Sequence, residues 1–137
     1  MIAKMSMNNP YQTYQNNAVN TASPGDLTLM LYNGCLKFIK QGKLAIENKD
    51  IETKHINLVK AQNIISELMI TLNTDYEVGK NMMQMYDYMK RRLIEANTNN
   101  DVAILNEVEG YVVEFRDTWK EVIQITRQQK YAVGGQV

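Results

Sequence analysis

After Pro24 the chain has no further proline, and apolar residues return three and four positions apart almost to its C-terminus. A strand would alternate with period two, so this spacing restricts the fold to long amphipathic helices. Ser23-Pro24-Gly25-Asp26 marks the first start: Ser23 caps, Pro24 fits the first helical position, and Asp26 sits where a capping-box carboxylate reaches back. From there to about Asn48, Leu27, Leu31, Cys35, Phe38, Ala45 and Ile46 share one face. Asn33-Gly34 resembles a hairpin turn in isolation, but its flanks carry the helical period, so the helix continues through it.

After the break at Asn48-Lys49-Asp50, a second helix spans about 51–72 on Ile51, Leu58, Ala61, Ile65, Leu68, Met69 and Leu72. Asn73-Thr74-Asp75 ends it. The third runs from about Glu77 to Ala96 on Met82, Met85, Tyr86, Met89, Leu93 and Ala96. Asn97 to Asp101 reads as a loop and cap. The fourth spans about 101–129 on Leu105, Val108, Val112, Phe115, Trp119, Val122 and Ile123. Short polar connections cannot reach the far end of a helix, so neighbours should run antiparallel. The expected fold is all-α, an up-down-up-down four-helix bundle over 23–130. A mobile N-terminal arm or short helical cap over 1–22 precedes it, and a frayed tail over 131–137 follows.

Composition narrows the function. Fifteen basic and fifteen acidic residues leave no net charge, which argues against a nucleic-acid binder or a polybasic membrane protein. Apolar runs are short, as in Leu29-Met30-Leu31-Tyr32, so membrane insertion is not expected. Met1 to Tyr11 carries no apolar block of signal-peptide length, and the single cysteine, Cys35, suits a reducing cytoplasm.

Catalytic chemistry is poorly provided for. His55 is the only histidine, so neither paired Glu-x-x-His elements nor a zinc set can be assembled, and it reads as a helix-edge polar residue. Cys35 points to the core as a small hydrophobe. Asp101, Glu107, Glu109 and Glu114 read as a solvated acidic face, and Lys90-Arg91-Arg92 as cations near a helix C-terminus. No metal, cofactor or small-molecule substrate is expected, and an enzyme is not.

Apolar residues exceed what four minimal core stripes use. On a wheel of 100° per residue, Leu29, Tyr32 and Leu36 fall on a second stripe of the first helix. Ile56, Val59 and Ile70 leave the core face of the second, Met83 and Ile94 that of the third, and Val113 that of the fourth. Either the packing is broader than a minimal bundle, with the arm covering the surplus, or the surplus lines a groove for another segment. Nine methionines, adaptable in packing, suit a groove. Tyr11, Tyr14 and Val19 on the arm, with Leu29, Tyr32, Leu36, Ile56, Val59, Ile70, Met83, Tyr86 and Met89, are the candidate partner-binding residues. A self-associating helical structural or adaptor module is the alternative use of such stripes.

Two blocks resemble a known family. Tyr11-Gln12-Thr13-Tyr14-Gln15, Val19 and Thr21 to Leu27, leading into Met30-Leu31-Tyr32-Asn33-Gly34, are similar to the N-terminal signature of the bacterial flagellin-export chaperones, the FliS family. Tyr86 to Asn97, then Asn100-Asp101, Glu107-Val108-Glu109-Gly110 and Trp119, resemble its second block. The likeness covers about residues 8–125. It implies a four-helix bundle with an N-terminal cap and no cofactor. It also implies a cytoplasmic chaperone that binds the C-terminal segment of flagellin as a one-to-one heterodimer, blocks premature polymerisation and delivers it to a component of the flagellar export gate.

Overall fold

Ser23 caps the first helix as its sequence context requires: its hydroxyl accepts the Asp26 N–H at 3.2 Å and donates to the Asp26 carboxylate at 2.9 Å. In the computed structural model, which describes residues 23–135 with side chains as far as Gln129, four helices follow: α1 (Pro24–Glu47), α2 (Ile51–Ile70), α3 (Glu77–Asn99) and α4 (Val102–Gly135). There is no strand among the described residues. The expected arm over 1–22, with Tyr11, Tyr14 and Val19, lies outside them.

The helix ends differ from expectation for local reasons. α2 stops at Ile70, two residues early, where the Thr71 and Leu72 N–H groups turn back to Leu68 and Met69 and the Thr71 hydroxyl donates to the Leu68 carbonyl at 2.7 Å. α3 continues through Asn97–Asn99, expected as loop, until Asn100 takes the left-handed conformation at φ 52° and the Asp101 N–H closes onto the Ala96 carbonyl. Helical backbone in α4 reaches Gly135, into the segment expected to fray.

Each helix packs on two neighbours, α1 on α2 and α4, and α3 on α2 and α4, giving a helical bundle around one core. Leu31, Cys35, Phe38 and Ile39 of α1 meet Leu58, Ala61, Ile65 and Leu68 of α2, Met89 and Leu93 of α3, and Leu105, Val108 and Val112 of α4. α1 and α2 approach closely at Gly42, where a Cβ would stand 2.5 Å from a methyl of Leu58. The start of α2 meets the end of α3, since Lys54 donates to the Asn97 carbonyl at 2.7 Å. Late α4 meets early α1 in the same way: the Trp119 indole N–H donates to the Gly25 carbonyl at 2.8 Å, and Arg127 pairs with Asp26 at 2.9 Å.

Two expected core positions are corrected. Ile51 is the first residue of α2, at the bundle's edge, and 66% of it is exposed. Val122 is exposed as well. At 1.5 Å per residue α4 is about 50 Å long against about 36 Å for α1, so its C-terminal part outruns the neighbours that would bury it.

Candidate functional site

The chemistry-bearing residues are absorbed by structure. Cys35 is fully buried, and burial pushes its thiol up to about 12, far from a reactive thiolate. His55 is exposed at the start of α2, with its Nδ1 3.0 Å from the Asn97 side-chain amide. The acidic face of α4 is partly engaged in tying helices together. Arg92 and Tyr88 of α3 donate to Glu107 at 2.8 and 2.9 Å and hold its carboxyl below the usual carboxylate range. Lys43 of α1 pairs with Glu109 at 2.9 Å.

The apolar surplus divides. On α1, Tyr32 and Leu36 are buried in the core, and Leu29 is half-buried. Tyr86 and Met89 of α3 are also fully enclosed. For Tyr32 and Leu36 the expectation of spare surface is corrected, while Tyr86 and Met89 lie buried where the core stripe of the third helix put them. α1 packs against both α2 and α4, so its buried arc is far wider than one narrow stripe. The Tyr32 hydroxyl crosses the interior to the Tyr86 hydroxyl at 2.5 Å, and the ring of Phe115 lies 5.6 Å from that of Tyr86.

On α2 the surplus faces out. Ile56 is 46% exposed, Ile70 is 82% exposed, and Val59 is half-buried between them in sequence. Ile56, Val59 and Ile70 lie on one side of the helix, opposite Leu58, Ala61 and Ile65, and the exposed Asn63 and Glu67 stand on that same side between Val59 and Ile70. Met83 of α3 is half-buried and Ile94 exposed.

A second exposed apolar set was missed by the sequence reading. Tyr76 and Val78 stand at the start of α3, with Val78 67% exposed, and Val122 and Ile125 stand on late α4. Partly buried Met82, Phe115 and Trp119 pack inward against the core. Helix position was the available signal, because residues in a first turn or beyond the neighbours' ends lack partners whatever their period.

The described surface therefore exposes apolar side chains on α2, at the start of α3 and on late α4, and carries no group of three or more His, Cys, Asp or Glu able to hold a metal among the described residues. No helix there is long and apolar enough to cross a membrane. Residues 7–126 match the family described as Flagellar protein FliS. The chain belongs to the FliS family. Both signature blocks lie within the matched span. This FliS-family chain is 59% identical to the flagellar secretion chaperone FliS of Bacillus subtilis over 131 residues, 96% of this chain and 98% of the relative. It is 37% identical to the protein of that name from Salmonella typhimurium, covering 77% of this chain and 80% of the relative. The Escherichia coli relative of that name is 36% identical, with 76% and 79% covered. FliS is a family of chaperones rather than of enzymes.

Proposed function

We propose that this FliS-family chain is a cytoplasmic flagellar export chaperone. Its client is the disordered C-terminal segment of flagellin, bound one to one. It keeps that segment from polymerising early and delivers it to a component of the flagellar export gate. The relatives' shared name, flagellar secretion chaperone, supports the export role. The observation that carries the client reading is the set of apolar side chains on the outward side of α2, Ile56 with Val59 and then Ile70 beyond the polar Asn63 and Glu67, left outside a core that is already closed.

A disordered segment with an apolar face needs a long track rather than a pocket. Ordering it on binding offsets much of the gain, so burial of about 2000 Å² at about 25 cal/mol per Å² yields reversible association. The second set, with Val78, Val122 and Ile125, supplies further exposed apolar surface. Tyr11, Tyr14 and Val19 remain part of this proposal as a cap that yields to the client or clamps it. The cross-helix contacts, early α2 on late α3 and late α4 on early α1, support an up-down-up-down bundle beneath that cap.

Co-purification with the matching flagellin, with and without its last ~50 residues, tests the reading, that length being enough to wrap a bundle of this size. Full-length flagellin is retained with the mass of a one-to-one complex by light scattering, and the shortened one is lost. The double substitution I56D/I70D keeps native helicity, because both side chains face solvent, and weakens binding at least tenfold. Retention of the shortened flagellin, or unchanged affinity in I56D/I70D, refutes the assignment. A fixed homo-oligomer that ignores flagellin supports the self-associating module instead.

A further inference from the structure

The connections α1–α2 and α3–α4 come together at one end of the bundle and border a half-open pocket of about 370 Å³. It is lined by Ala45, Ile46, Lys49, Asp50, Ile51, Lys54 and Asn100. That volume lies at the small end of ligand sites. Ala45, Ile46 and Ile51 give it an aliphatic side, and Lys49, Asp50, Lys54 and Asn100 a polar one.

Lys54 is the unusual member. It is 5% exposed, yet it makes no ion pair, and every Asp and Glu of the chain lies among the described side chains. Its ammonium donates to the Asn97 carbonyl at 2.7 Å and to the Asn100 side-chain oxygen at 2.5 Å. These bonds cap the C-terminal end of α3 and use two of three donors, while the charge itself is met by no carboxylate. Buried charges are ordinarily paired. Asp50 lines the same pocket but stands beyond 4.0 Å of the Lys54 ammonium, and its carboxylate accepts the Thr53 N–H at 3.1 Å as the cap of α2.

Lys49 adds an independent observation. It occupies the left-handed conformation at φ 57°, immediately after the cap of α1, with its N–H on the Ile46 carbonyl and the Asp50 N–H on the Ala45 carbonyl. Glycine or asparagine adopts that position with least strain. A lysine there places a second cation on the pocket at a conformational cost that the α1 cap alone does not require.

We propose that this pocket receives the terminal carboxylate of a peptide chain ending in an aliphatic residue, the carboxylate meeting Lys54 and Lys49 and the side chain lying against Ala45, Ile46 and Ile51. The charge of the pocket selects the anion, and its apolar wall and small volume select one short aliphatic end. The site is separate from the α2 track and does not depend on the client assigned above.

The test is an NMR titration of the full-length protein with N-acetyl-glycyl-leucine as the free acid and, separately, as its C-terminal amide. The acid shifts the backbone amides of Lys49, Asp50, Ile51 and Asn100 saturably, and the amide binds at least tenfold more weakly. The variant K49G, which adopts the same turn without strain, melts no lower than the parent and loses at least threefold in affinity for the acid. K54M, which retains the aliphatic stem, abolishes the response; should it fail to fold, K49G alone decides. No saturable shift with the acid, equal affinity for acid and amide, or undiminished binding by folded K49G each overturns the proposal.

Discussion

The hydrogen bond between Tyr32 and Tyr86 can be removed from either side, and the two single removals should cost more than their joint removal suggests. Among the described residues neither hydroxyl has a second hydrogen-bond partner, and the two residues are 2% and 1% exposed. Tyr86→Phe therefore strands the Tyr32 hydroxyl in the interior, and Tyr32→Phe strands that of Tyr86. Each single change costs about 1–3 kcal/mol, the penalty of a buried polar group left unmade. The double change loses the bond but strands nothing, so its cost is about 0.5–1.5 kcal/mol. The resulting coupling between the two sites, the two single costs less the double, is about 3 kcal/mol at the midpoints of these ranges. Urea unfolding followed by far-UV circular dichroism at pH 7 measures all four corners of the cycle, with equal slopes marking a common unfolded state. Additivity to within about 0.5 kcal/mol would refute the geometry. The same proteins separate two roles for these residues: as core members they alter stability and leave the affinity of folded protein for flagellin unchanged.

Two further outcomes follow from the packing. Gly79→Ala would place a Cβ 1.9 Å from the Asn73 carbonyl oxygen, a backbone atom with little freedom to retreat. It destabilises by at least about 2 kcal/mol, read by urea midpoint, and a midpoint equal to the parent's contradicts the close approach. Burial raises the Cys35 thiol from an ordinary value near 9 to about 12, and raises the Tyr32 and Tyr86 phenols, Tyr86 further through its bond to Tyr32. With folded values above the unfolded ones, this stability is complete below the unfolded values and declines from about pH 9 upward as the unfolded chain ionises first. Urea midpoints at pH 7 and pH 10.5 check the sign, and an unchanged midpoint removes the inference.

The number of helices and their main core faces were legible because burial on one side imposes a 3.6-residue period. Leu31, Cys35, Leu58, Ile65, Leu93, Leu105 and Val112 all lie where that period placed them. Periodicity cannot give the width of the buried arc, which depends on how many neighbours a helix has. Tyr32 and Leu36 looked surplus for one neighbour, and α1 has two. Position along the axis was equally hidden, so Ile51 and Val122 kept the right phase and still emerged into solvent. The α2 track was visible because Ile56 and Ile70 oppose the core directly. Val78 and Ile125 were not, since their exposure follows from where neighbouring helices end. Nothing in spacing or motif pointed to the pocket around Lys54, which arises only when two sequence-distant turns meet.

The clamp of Trp119 and Arg127 on the first turn of α1 joins residues 94 and 101 positions apart. A ribosome finishes α1, α2 and α3 before any of Trp119 has been added, so the nascent chain holds Leu31, Leu58 and Leu93 without the Leu105, Val108 and Val112 that complete their enclosure. Such distant closure is the slow part of assembling an otherwise local helical fold. Until translation has passed Val112, this protein is itself an unprotected chain with apolar surface to hide.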